Sequence, residues 1–268
     1  MDSSSHDNMS FLEHLEELRW HIIRSLIAIV SAGFICFLMK DFIFDTIIFG
    51  PKKMDFPTYK FLCQAATFIG VETTFCGDEF PFIVQNRTMA GQFSAHVMTS
   101  IISGFIISFP YILYEFWKFI SPGLLEKEKA KSRGFILISS LLFFIGVLFG
   151  YYIISPLSIN FLGTYQVSSQ VLNEIDLGSF ISLVRSSAIA SGIIFELPII
   201  IYFLTKAGVV TPESLVKYRK YALVLVLVLA AIITPPDVAS QIIVAIPIVV
   251  LYQVSIFISK IVVKNQAK

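Results

Sequence analysis

Residues 134–154 read GFILISSLLFFIGVLFGYYII, without a single charged side chain. A helix crossing the hydrocarbon core of a bilayer needs about 20 mostly apolar residues. This stretch therefore predicts a spanning helix. Working outward from it, comparable apolar runs cover about 20–39, 91–116, 177–204, 221–233 and 239–258. The expected fold is all-α: a polytopic membrane protein with six transmembrane helices in one domain over residues 1–268. The fifth run is short, and Thr234-Pro235-Pro236-Asp237 separates it from the sixth. Pro-Pro cannot continue a helix, so a tight hairpin is expected there, with the last two helices short.

Composition agrees. Hydrophobic residues make up 56% of the 268 residues and charged residues 15%. A soluble domain carries closer to 45–50% and 25%. Mean hydropathy is +0.78. These values exclude a disordered chain and argue against a soluble enzyme. A net charge of +1 gives no reason to expect a nucleic-acid partner. The first 19 residues are polar, with no basic segment before Arg19, so no cleavable signal peptide is expected.

Orientation follows from lysine and arginine. With the N-terminus inside, fourteen of the 20 Lys and Arg fall inside and five outside, while Arg185 lies within a span. Both termini are thus expected in the cytoplasm, with Trp20 and Trp117 at the inner interface. The outer loop, about 40–90, holds Pro51, Pro57 and Pro81 and is expected to carry short surface helices. Cys63 and Cys76 flank part of it. On an oxidising side they could form a disulfide worth roughly 3 kcal/mol; two free thiols are the alternative.

No phosphate-binding loop and no G-x-S-x-G elbow is present, so neither ATPase nor hydrolase chemistry is expected. The four histidines lack ligand spacing, so no metal, catalytic residue or cofactor is expected. His14 and His21 share a helix face at i, i+7 and read as a solvated or interfacial pair.

Four features carry chemistry. Ser10 and Glu13 form a capping box, so a helix should begin at Phe11, with Glu13 and Glu17 on its polar side. After the second span, Pro122-Gly123 turns the chain, and Leu124, Glu126 and Glu128 follow in an inner loop. Arg185 and Glu196 lie inside the fourth span, where ionisable residues are costly and point to function, and Pro198 should bend that helix. Gln241 opens the last span and offers an amide to a neighbouring helix, while Asp237 could cap it.

These stretches resemble one family. His14-Leu15-Glu16-Glu17-Leu18-Arg19 is similar to the H-L-x-E-L-R motif of the TatC family, the multispanning receptor of the twin-arginine protein translocase. Phe119-Ile120-Ser121-Pro122-Gly123-Leu124 with Glu128, then Phe195-Glu196-Leu197-Pro198, then Thr234-Pro235-Pro236-Asp237 with Ser240-Gln241, resemble its later motifs in order. The resemblance implies a receptor and core subunit in the bacterial cytoplasmic (inner) membrane. It implies binding of twin-arginine signal peptides of folded proteins at the cytoplasmic face. It also implies assembly with single-span subunits of the TatA and TatB type, self-association in a receptor complex, and export driven by the proton-motive force. Glu17 and Glu128 would contact the arginine pair, with Phe119, Pro122 and Leu124 shaping the groove and Arg19 positioning it. Glu196 would be a polar point within the membrane. Gln241 and the last two helices would receive a partner helix. Pro51 and Asp237 match outer-side positions. Cys63, Cys76 and Arg185 stand outside the family pattern. A proton-coupled solute transporter built on Arg185 and Glu196, and a scaffold for other membrane proteins, are the alternative readings; no internal repeat supports the former.

Overall fold

The computed structural model describes residues 11–70, 76–77, 80–120, 132–168, 170–233 and 238–266. Helices dominate them: α1 (Phe11–Leu38), α2 (Pro57–Ile69), α3 (Gly91–Ile120), α4 (Ser132–Phe149), α5 (Ser155–Thr164), α6 (Leu177–Phe195), α7 (Leu197–Lys206), α8 (Pro212–Lys217), α9 (Arg219–Ile233) and α10 (Val238–Gln266). Five segments among the described residues are long and apolar enough to cross a membrane: His14–Leu38, Gly91–Ile120, Gly134–Thr164, Leu177–Lys206 and Gln241–Gln266. The sixth apolar run lies in α9, which has 15 residues. At 1.5 Å per residue it reaches roughly 22 Å, short of about 30 Å of hydrocarbon. The last helix, expected short, has 29 residues because the chain stays helical well past Ile258.

Two compact units are present. The first comprises residues 1–40 and 96–141. In it α1 and α3 run antiparallel. His96 stacks on Phe37 at 4.0 Å, and the Ser108 hydroxyl donates to the Ala28 carbonyl at 3.0 Å. Between these contacts the backbones cross at two glycines: a Cβ on Gly104 would lie 2.5 Å from the Gly33 nitrogen. Small residues permit such approaches, which carry much of the packing between membrane helices. Trp117, expected at the inner interface, is buried against Phe135 with ring centroids 4.8 Å apart. Trp20 remains exposed and takes the Arg19 guanidinium at 5.7 Å from its ring.

The second unit comprises residues 41–95 and 142–268. Pro156 has no N–H to give to the Tyr152 carbonyl one turn back. The helix absorbs this with a turn of wider π-helix at Gly150–Ile154, and the Thr58 hydroxyl from α2 donates to that carbonyl instead. Tyr59 of α2 is fully buried, its hydroxyl 2.8 Å from the Pro51 carbonyl and 2.9 Å from the Pro156 carbonyl. Burial raises the pKa of its phenol, which keeps it a donor. Cys63 and Cys76 are bonded, with Cα atoms 5.1 Å apart. Two short strands, β1 (Phe82–Gln85) and β2 (Asn173–Asp176), pair in parallel, Phe82 opposite Asn173 and Gln85 opposite Asp176. An Arg87–Glu174 ion pair at 3.0 Å lies beside them. Asp176 then caps α6, accepting from the Gly178 and Ser179 amides. Gly146 and Gly150, four apart, bring the π turn and α4 against the α6 backbone at Ser191 and Ser187. The core of the unit packs Ile154 with Val226 and Ala230 of α9 and Val244, Ala245 and Ile248 of α10.

Candidate functional site

The expected site residues fall into three places. The first is where the start of α1 meets the end of α3, inside the first unit. His14 and His21 do share a face of α1, yet they are not simply a solvated pair. Phe119, in the last turn of α3, lies between them: it stacks on His14 at 4.5 Å and meets the edge of His21 at 6.1 Å. Glu17 and Arg19, on the same end of α1, are exposed. Neither makes an ion pair with another described residue. The described part of α1 runs from Phe11, and Ser10, the expected cap, lies outside the described residues. So do Pro122, Leu124 and Glu128, the other members expected at this end.

A carboxylate that the motifs did not single out lies one turn before Phe119. Glu115 is 3% exposed. His21 Nδ1 donates to its Oε2 at 2.6 Å, Arg24 Nη1 stands 3.8 Å from the same oxygen, and the Tyr111 hydroxyl bonds the same carboxylate. Residues four apart on a helix are neighbours, so Glu115 and Phe119 present one face of α3 to His21 and His14 of α1. The signal was present in the sequence as an acid near the end of an apolar run, four residues before Phe119. Its partners His21 and Arg24 are more than ninety positions away, beyond what local spacing can show.

The second place is the α6–α7 junction. Helix α6 stops at Phe195, Glu196 serves as the joint, and α7 starts at Leu197 with Pro198 in its first turn, so the helix is interrupted where this proline falls. Glu196 and Pro198 are buried. Arg185 is half-buried three turns earlier on α6. The third place is the last hairpin. The Gln241 side chain donates to the Leu227 carbonyl of α9 at 3.0 Å, so its amide is used within the hairpin. Asp237 lies outside the described residues. Pro51, another expected position, is buried under Tyr59 in the second unit. Among the described residues no group of three His, Cys, Asp or Glu side chains could hold a metal.

At the first place the arrangement can receive a cation. The exposed Glu17 carboxylate, on the helix end whose histidines flank Phe119, can offer a guanidinium a bidentate acceptor. Arginine fits such a site better than lysine, because its planar fork matches a carboxylate and stacks on a ring.

Comparison with known proteins agrees with the order of motifs. Residues 13–247 match the family described as Sec-independent protein translocase protein (TatC). The protein of that description from Blattabacterium sp. subsp. Periplaneta americana (strain BPLAN) is 46% identical over 97% of this chain and 98% of its own. That from Aquifex aeolicus (strain VF5) is 37% identical over 96% and 98%. Two crystal structures of the twin-arginine translocase receptor TatC superpose with TM-scores of 0.67 and 0.70. They are 35% and 36% identical and cover 94% and 92% of this chain, 100% and 99% of their own. The chain belongs to the TatC family and is an all-α, polytopic membrane component of the twin-arginine, Sec-independent protein translocase.

Proposed function

We propose that this chain is the receptor subunit that binds twin-arginine signal peptides of folded precursors at the cytoplasmic face of a bacterial inner membrane. Six spans with both termini in the cytoplasm bring the start of α1, the end of α3 and the loop after α3 to that face. Glu17 and Glu128 take the arginine pair, Phe119, Pro122 and Leu124 form the groove around it, and Arg19 sets its position. Partly desolvated at the interface, each arginine–carboxylate contact contributes about 1.5–3 kcal/mol. Glu196 is the polar point along the path of the apolar signal segment. The last two helices, with Gln241, receive the helix of a single-span TatA- or TatB-type subunit on the exposed apolar side of α9, at Val224, Leu225 and Val228. Pro51 and Asp237 support the outer side. The chain has no ATPase role, and transport draws on the proton-motive force.

The observation that supports this reading most is the bracketing of Phe119 by His14 and His21, with an exposed Glu17 on the same helix end. Photocrosslinkers at Glu17, Phe119 and Glu128 in native membranes test it, with precursors bearing Arg-Arg or Lys-Lys. Crosslinks to the Arg-Arg precursor that vanish with Lys-Lys are expected. Equal crosslinking to both, or to neither, would refute the assignment.

A further inference from the structure

Glu115 stands apart from the residues that would touch a signal peptide. Its side chain is 4% exposed, and the His21 imidazole, the Arg24 guanidinium and the Tyr111 hydroxyl already surround it. A carboxylate this buried is tolerated only where hydrogen bonds and opposite charge replace water. Here those partners come chiefly from the other helix, α1. The contacts lie in register: Glu115 meets His21, and one turn further along α3 Phe119 meets both His21 and His14. Glu17 lies on α1 between these two histidines. The bond at Glu115 thus sets the rotation and height of α1 against the last turn of α3. It also balances Arg24, a positive charge two turns from Glu17 that would otherwise oppose an incoming arginine pair.

We propose that Glu115 is a positioning residue for signal-peptide recognition: through its hydrogen bond from His21 it holds Phe119 and Glu17 in the relation that selects arginine. This rests on the receptor reading above. It makes Glu115 a determinant of affinity and Arg-over-Lys choice without contact with the peptide.

The test uses the full chain in nanodiscs and two fluorescent synthetic signal peptides, one with Arg-Arg and one with Lys-Lys before the same apolar segment. The wild type is measured first. If it does not discriminate between the peptides, the receptor reading fails and takes this inference with it. Given discrimination, the informative variant is E115M. Methionine fills nearly the same volume but leaves His21 and Arg24 without their acceptor, so a lower thermal midpoint is expected and binding is read well below it. A packing role alone would leave E115M with wild-type binding. The positioning role predicts about tenfold weaker Arg-Arg binding, and a smaller Arg-over-Lys ratio, in protein that remains folded at the assay temperature. E115Q retains an acceptor for His21 and should stay within about threefold of wild type. Spin labels at exposed Glu16 and Lys118 should report a broadened distance distribution in E115M and a wild-type one in E115Q. H21F keeps a ring against Phe119 but cannot donate to Glu115; it should match the E115M loss, and it carries the test if E115M does not fold. Wild-type Arg-Arg affinity in either E115M or H21F, with discrimination intact, overturns the proposal. So does a loss in E115Q equal to that in E115M.

Discussion

Replacing Gly104 with alanine should loosen the crossing of α1 and α3. A Cβ there would lie 2.5 Å from the Gly33 nitrogen, 2.5 Å from the Ile29 carbonyl oxygen and 2.7 Å from the Gly33 Cα. Ordinary contact begins at 3.4 Å, so 3.4 minus 2.5, or 0.9 Å, must be found by separating the helices. All three neighbours are backbone atoms, and no side chain can turn aside. Overpacking of this kind costs about 1–3 kcal/mol, while alanine returns about 0.5–1 kcal/mol of helix propensity. At the midpoints of those ranges the expected net loss is about 1.3 kcal/mol, close to tenfold in the folding equilibrium. G134A is the matched control, because a Cβ at Gly134 meets nothing within 4 Å. The assay is equilibrium unfolding in mixed micelles titrated with SDS. G104A should unfold at lower SDS than wild type, and G134A at the same or slightly higher SDS. A G104A midpoint at or above that of wild type would refute the claim that this crossing depends on a missing side chain. Because His14, His21, Glu115 and Phe119 belong to the same helix pair, G104A should also weaken signal-peptide binding.

The Y59F variant removes the one hydroxyl shared by the Pro51 and Pro156 carbonyls. Losing both bonds, and with them a buried donor for the Pro51 carbonyl, should cost about 1–3 kcal/mol, read in the same unfolding titration. D176A removes the side chain that caps α6 at Gly178 and Ser179, and should cost about 1 kcal/mol, whereas D176N should restore most of it.

The long uncharged runs were legible because burial in lipid tolerates no unpaired charge; the spans follow from that one constraint. The helix break at Pro198 was legible for a local reason, since proline cannot continue the bond to the previous turn. The π turn before Pro156 was not. Proline announces the lost bond, but which neighbour meets the freed Tyr152 carbonyl depends on Thr58, nearly a hundred residues away. Strands β1 and β2 were also hidden: four residues are too few to display an alternating pattern, and their partner is distant. At the site, Glu17 and Phe119 stood out through the motif resemblance. Glu115 did not, because its meaning comes from His21 and Arg24, which only the folded helix pair brings to it. The cover over Trp117 was hidden for a similar reason, since Phe135 comes from the next helix.

The parallel pairing of Phe82–Gln85 with Asn173–Asp176 has a consequence for biogenesis. Parallel neighbours cannot be joined by a tight turn, and here the connection carries the chain through α3, α4 and α5 before it returns. During synthesis β1 is made first and waits unpaired while those helices are inserted. The ladder can close only after Asn173–Asp176 has reached the same side, so its closure is a late event that reports successful insertion of everything between the strands. A chain in which either intervening span fails to cross would leave both edges of β1 unpaired, a mark that a quality-control protease could read.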